Sequence, residues 1–226
     1  MSIGILLVIA TDTEAEALRR IPGIISTTHG YSFGNCEITS IVTGVGPIAT
    51  SWALTKWFSV NQKPDLALNI GIAGSFREDI KIGDVVIPVS DRFAGSGVEP
   101  GNEFITPAEA GSEDTAGYLF KEGKIWAENK YIELNLSHLK HVNAITVNAA
   151  SGSADTIKKI SEKYNPDIET MEGATFFYIC GRAKIPFLAM RSISNKVEPR
   201  DKDKWNIPLA LKSLSEELRE FILTLE

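Results

Sequence analysis

Asn165-Pro-Asp-Ile-Glu-Thr-Met-Glu-Gly-Ala-Thr-Phe-Phe-Tyr-Ile-Cys180 contains the change of period from which the fold class is read. Asn165-Pro166 ends a helical segment, and Ile168 to Met171 reads as a short extended piece. From Glu172 the apolar residues Phe176, Phe177 and Cys180 recur at helical spacing, so strand gives way to helix at Glu172. Orphan backbone N–H groups and the positive end of the dipole favour an ionised carboxylate there. Such a group has acceptor sites only, which suits two neighbouring hydroxyl donors such as a ribose diol. Taken alone, a helix-terminal charge in water is the simpler account.

The same alternation runs through the chain. Ile3 to Ala10 is a continuous apolar run, as in a strand buried on both faces. Thr11-Asp-Thr13 offers caps for a helix from Glu14 to Arg20, which puts Glu14 where an open α/β sheet binds ligands. Tyr31 to Phe33 and Glu37 to Val42 read as a strand pair about Gly34-Asn35. Thr43-Gly-Val-Gly-Pro47 opens a helix from Ile48 to about Val60. That turn is either a phosphate cradle or a tight turn without a ligand, since its glycines lack full dinucleotide or P-loop spacing. Asp65 to Gly74 is a second buried strand, whose terminal glycines let the backbone approach a ligand.

Further strands are expected at Ile82 to Pro88, Ala144 to Val147 and Ile185 to Ile193, with a helix from Ala154 to Tyr164. Leu211, Leu214, Leu218, Phe221, Ile222 and Leu225 mark one face of a final amphipathic helix. The pattern predicts an α/β protein, a three-layer α/β/α sandwich on a central mixed, largely parallel sheet. No linker-like stretch divides it, so one domain over residues 1–226 is expected. Asp91 to Gly117, rich in Gly, Ser, Glu and Pro, is a candidate lid. Phe93 and Phe104 would there touch a bulky part of a bound ligand or seal a dimer.

A net charge of -6 argues against nucleic-acid or anionic-membrane surfaces and leaves a small molecule as the partner. Cys36 and Cys180 lie in apolar patterns, as reduced core thiols do, and the apolar run at Ile3 is too short to span a bilayer. A cytoplasmic protein is expected, assembling as a homo-oligomer, a dimer or larger. His29, His138 and His141 show no ligand spacing, so neither a metal nor a histidine base is expected.

Met171-Glu172-Gly173-Ala174 resembles the ribose-binding signature of the nucleoside phosphorylase and nucleosidase superfamily. The longer string Glu169 to Tyr178, with Arg191-Ser-Ile-Ser-Asn195 and Trp205, is most similar to its futalosine hydrolase branch. The resemblance implies a purine nucleoside substrate and no cofactor. It implies that Glu172 and Met171 hold the ribose and that Glu14, with Glu16 as the alternative, activates the attacking water. Ala73 and Gly74 would lie near ribose and water, and Ser151 to Asp155 near the purine. Ser194 and Asn195 would sit by the base, and Asp84 would be structural.

Adenine-releasing nucleosidases carry aspartate where this chain has Asn195. A carboxamide cannot act as a general acid at neutral pH, but it can donate to O6 of a 6-oxopurine and accept from N7–H. A cap for the loop after the strand is the competing role. The resemblance therefore implies hydrolysis of futalosine, an inosine-like nucleoside with an aromatic acid at its 5′ end, releasing hypoxanthine for menaquinone biosynthesis. The alternatives are a methylthioadenosine/adenosylhomocysteine nucleosidase, a purine nucleoside phosphorylase using cations such as Arg77, and a nucleoside-binding protein without catalysis.

Overall fold

The N-terminal apolar run forms β1 (Ile3–Ile9), buried throughout from Ile5 onward. The computed structural model describes residues 2–101, 103–112, 119–128, 131 and 136–225. The strands that follow are β2 (Ile25–Thr27), β3 (Gly30–Phe33), β4 (Cys36–Val42), β5 (Leu66–Ser75), β6 (Val85–Asp91), β7 (Phe120–Lys121), β8 (Lys124–Trp126), β9 (Lys140–Thr146), β10 (Ile168–Thr170) and β11 (Phe187–Lys196). The helices that build the layers are α1 (Asp12–Arg19), α2 (Pro47–Val60), α3 (Ala154–Tyr164), α4 (Gly173–Ala183) and α5 (Ile207–Leu223).

β4, β1, β5 and β11 lie side by side in parallel, which explains their continuous apolar sequences. The mixed α/β sheet expected from the sequence is present, but it is more curled than an open sandwich. β10 pairs antiparallel with the end of β5, and β11 pairs antiparallel with β6, so β5, β11, β6, β9 and β10 close into a ring. A register shift between Ile193 and Asn195 marks a bulge in β11 within this ring. α1 packs with α5, and α2 with α4. Phe176, Phe177 and Phe187 interlock beneath α4 with ring centroids 4.8 to 6.1 Å apart.

Helix α1 begins earlier than the sequence pattern suggested. Thr11 is its N-cap, its hydroxyl accepting from the Glu14 amide at 3.2 Å, so Glu14 sits inside the first turn. Cys36 and Cys180 are buried free thiols. Within the expected lid, Phe93 bridges to Thr146 and Val98 to Ile105, whereas residues 102 and 113–117 lie outside the described residues. Among the described residues, no helix is long and apolar enough to cross a membrane.

Candidate active site

The ends of β1, β5, β10 and β11 open on a cavity of about 350 Å³. Glu14, Ala73, Gly74, Met171, Glu172, Ser194 and Asn195 all line it, together with Thr11, Val45, Val147, Ala150, Glu169 and Trp205. Glu14 for the water, Met171 and Glu172 for the ribose, and Ser194 and Asn195 for the base are thus brought to one hollow, whereas Glu16 and Ser151 to Asp155 do not line it. Two larger grooves, of about 600 and 630 Å³, flank the segment after β6 and lack the paired carboxylates.

Glu14 is held from two sides. Its Oε1 accepts from the Ile72 amide at 3.0 Å, and its Oε2 accepts from the Thr11 hydroxyl at 2.8 Å. The capping residue of α1 therefore also fixes the carboxylate that follows it. Gly71 makes this possible, because a Cβ there would lie 2.6 Å from Glu14 Oε1. Glu16, the alternative base, pairs with Arg19 at 2.6 Å on the outside of α1 and does not line the cavity.

Glu172 occupies the N-cap position of α4, as expected, but its electrostatics are not those of a helix cap. The Thr170 hydroxyl takes the Gly173 amide at 3.2 Å, and the Thr146 hydroxyl takes the Ala174 amide at 2.7 Å. With these donors occupied, the Glu172 carboxylate turns away and accepts from the Gly46 amide at 2.9 Å. Burial raises its pKa, an effect only partly offset by Gly46 and Arg191. The expectation that the helix start favours its ionised form is corrected accordingly. Gly46 caps α2 at φ 92°, a conformation open to glycine, and offers its N–H to Glu172.

Two buried charges behind the cavity escaped sequence reasoning. Arg191 is 1% exposed; it donates to Asn69 O at 2.8 Å and Met190 O at 3.1 Å, and also to Asn69 Oδ1. Its charge acts on Glu172, Glu14 and Asp91 together. Asp91 accepts from the Thr146 hydroxyl at 3.0 Å, and its Oδ2 has no hydrogen-bond partner among the described residues. Gly173 must be small because a Cβ there would stand 2.1 Å from that oxygen.

Burial pushes the Asp91 carboxyl up to about 7, against the pull of Thr146, Arg191 and the Arg92 amide. An unfolded aspartate titrates near ~3.9, so between these values the folded chain keeps a proton that the unfolded chain has released. The stabilisation is full at acid pH and lost as pH rises through about 7, with a slope of up to about 1.4 kcal/mol per pH unit. Asp91→Asn is expected to flatten the fall in urea midpoint between about pH 5 and about pH 8. Glu169 and Glu172, also raised by burial, leave a residual slope of the same sign. An unchanged slope in the variant would assign the proton to another group.

Asn195 lies in β11 just past the bulge, which answers the expectation that it caps a loop. Its Oδ1 accepts from the Ser194 hydroxyl at 2.8 Å, and its Nδ2 donates to Lys196 O at 2.9 Å. Each head atom keeps one further site, a lone pair on the oxygen and a hydrogen on the nitrogen. The Ser194 hydroxyl also lies 3.3 Å from Ala73 O, so its single hydrogen is shared between Asn195 and β5 beside the cavity.

The family description that matches this sequence is that of the Phosphorylase superfamily, over residues 4–223. The chain belongs to the phosphorylase superfamily. Its relatives in the superfamily include the 5′-methylthioadenosine/S-adenosylhomocysteine nucleosidase of Buchnera aphidicola, 27% identical with 88% of each chain covered. The protein of the same name from Psychromonas ingrahamii is 27% identical with 98% of each covered. Among solved structures, native futalosine hydrolase of Helicobacter pylori superposes with a TM-score of 0.77 at 17% identity, covering 99% of both chains. An MTAN mutant of Helicobacter pylori with 5′-methylthioadenosine in its active site gives 0.78 at 18% identity, covering 99% of this chain and 100% of that one. At such identities the likeness of the two structures is one of fold.

Some expectations drawn from the superfamily resemblance fall elsewhere. Of Ser151 to Asp155, none lines the main cavity. Ser151 borders a small recess beside it, and Ser153 caps α3 by accepting from Thr156 N at 3.2 Å. Val147 and Ala150, just upstream, line the cavity instead, because the chain leaves β9 and passes it before α3 begins. Phe93 and Phe104 border the two outer grooves and not this cavity. Arg77 is bound to Asp79 at 2.8 Å and Asp167 at 3.1 Å, away from the cavity. Asp84 accepts from Lys81 N at 2.9 Å in a turn, a structural role. His29, His138 and His141 are exposed, and His138 meets Glu217 at 3.1 Å.

Proposed function

We propose that the chain hydrolyses the N-glycosidic bond of a purine nucleoside, and that its substrate is the 6-oxopurine nucleoside futalosine. The observation that carries the base preference is a carboxamide, Asn195, in the same cavity as the two carboxylates Glu14 and Glu172. The water oxygen bonds to C1′ as the C1′–N9 bond breaks and its electron pair leaves with the purine. Positive charge gathers on the sugar and negative charge on the base. Glu172 accepts from the ribose hydroxyls and Glu14 takes the proton of the attacking water. The departing purine, protonated at N7 from solvent, meets Asn195 with N7–H toward Oδ1 and O6 toward Nδ2.

Water is favoured over phosphate as the nucleophile for two reasons. The Gly46 amide in the candidate cradle already serves Glu172, and the described residues lining the cavity include no Lys or Arg. An adenine-releasing nucleosidase is the second reading, favoured by the names of the curated relatives. The two separate when the protein is incubated with futalosine, methylthioadenosine and inosine and the released base is identified. Hypoxanthine from futalosine at the highest kcat/KM is the expected result, and adenine from methylthioadenosine at a higher value would favour the second reading.

Asn195→Asp is expected to shift the kcat/KM ratio toward 6-aminopurine nucleosides by on the order of 10²-fold, since a carboxylate offers O6 no donor. An unchanged ratio would remove Asn195 from base recognition. The expected homo-oligomer has support in an apolar face on and beside α2, where Ile48 is 87%, Trp52 70% and Val45 53% exposed. Val45 belongs to that face and to the cavity wall, so a second copy seated there would border the cavity mouth.

A further inference from the structure

Glu172 stands at the N-cap of α4, yet its side chain takes no amide of that helix. An N-cap side chain ordinarily accepts from the second or third amide of its helix. Here those belong to Ala174 and Thr175, and the Ala174 amide is already held by the Thr146 hydroxyl at 2.7 Å. The first amide, at Gly173, is held by the Thr170 hydroxyl at 3.2 Å. Hydroxyls of β9 and β10 therefore cap the helix, which leaves the Glu172 carboxylate free to face the cavity.

What orients Thr146 is Asp91, at the end of β6 and 1% exposed. The Thr146 hydroxyl gives its hydrogen to Asp91 Oδ1 at 3.0 Å, so its lone pairs are the part turned to α4. Thr146 N donates to Arg92 O at 2.8 Å and Ala94 N donates to Thr146 O at 2.9 Å, which fixes the register of the two segments where that contact is made. The same carboxyl abuts the helix start, since the point that a Cβ of Gly173 would occupy is 3.2 Å from Asp91 Cγ. Thr170 Oγ1 lies 3.4 Å from the Thr146 hydroxyl, beyond the usual O–H···O range, and does not replace Asp91.

We infer that Asp91 is a positioning residue: acting through the Thr146 hydroxyl, it keeps the start of α4 capped from the sheet and so leaves the Glu172 carboxylate for the ribose. This rests on the ribose role proposed above for Glu172 and adds the group that keeps Glu172 available. Without Asp91 the Ala174 amide becomes a competing partner for Glu172, and the binding-competent arrangement is only part of the population. A ligand then binds more weakly by that fraction, while the complex once formed reacts as before. KM rises and kcat does not.

The test uses whichever of futalosine, methylthioadenosine and inosine the wild type turns over fastest, so it stands whichever base is preferred. Asp91→Ala is expected to raise KM by about tenfold with kcat within about threefold of wild type. Asp91→Asn should bring KM back to within about threefold, since a carboxamide oxygen still accepts from Thr146. Asp91→Asn also lacks the charge, so its rescue assigns the effect to the hydrogen bond and not to the field at Arg191. Thr146→Val, which removes the hydroxyl, should show the same split and keeps the test decisive where Asp91→Ala does not fold. Inosine or adenosine, matched to the released base, should weaken as a competitive inhibitor by the same factor in Asp91→Ala, and its 2′,3′-dideoxy analogue should not. An unchanged KM in Asp91→Ala or Thr146→Val, an equal loss for parent and dideoxy nucleoside, or no rescue by Asp91→Asn would overturn the role of Asp91 alone. A wild type that turns over none of the three, or binds the dideoxy analogue as tightly as its parent, would overturn the proposed function and this assignment with it.

Discussion

Glu14→Gln is expected to lower kcat by about 10²–10⁴-fold, the usual contribution of a positioned general base, while substrate binding stays within a fewfold of wild type. The geometry makes this substitution clean. Glutamine can keep its oxygen toward the Ile72 amide and donate from its NH2 to the Thr11 hydroxyl, so both groups that hold the side chain now keep a partner. What it loses is the ability to take a proton from water. Binding is read from single-turnover kinetics and turnover from released base. A joint loss of binding and turnover in a folded variant would make Glu14 a binding group and not the base.

Glu172→Gln is the second large effect, expected to reduce kcat/KM by ~10²-fold. Charged hydrogen bonds contribute ~1.5–3 kcal/mol each, against ~1 kcal/mol for neutral ones, and two ribose hydroxyls are at stake. The amide would also turn a donor toward a donor. With a substrate lacking the 2′ and 3′ hydroxyls the penalty should largely vanish, as a double-mutant cycle requires of groups in contact. Burial raises the Glu172 carboxyl, so its protonation should set an acid limb of kcat/KM above the usual glutamate range. That limb should be absent in the variant. An equal penalty on both substrates with the limb intact would reduce Glu172 to a structural partner of Gly46.

The positions of these groups were legible in sequence, and their environments were not. The Ile3 to Ala10 run and the Thr11 cap are local signals, and together they locate Glu14 at a strand end. The helix start at Glu172 is local as well. The direction of its carboxylate depends on Thr146, a side chain 28 residues away that occupies the Ala174 amide. No periodicity in either segment carries that information. Arg191 sits within the apolar series Phe187-Leu-Ala-Met, where strand patterning absorbs it, although an arginine in a wholly buried strand is itself a signal of paired charge. Ring closure rests on antiparallel pairings between strands far apart in sequence, Gly74 with Glu169 and Arg191 with Val86. The same closure brings Glu169 beside Asn195, which explains why its place at the cavity was not foreseen.

The central claim is that water, activated at Glu14, attacks a ribose held at Glu172 while the purine departs. Its most direct test is the fate of the sugar when the protein turns over futalosine in buffers with and without excess phosphate, followed by chromatography and phosphorus NMR. Free sugar released in equal amount with hypoxanthine, at a rate independent of phosphate, is the predicted result. A sugar 1-phosphate, or turnover that requires phosphate, would contradict it.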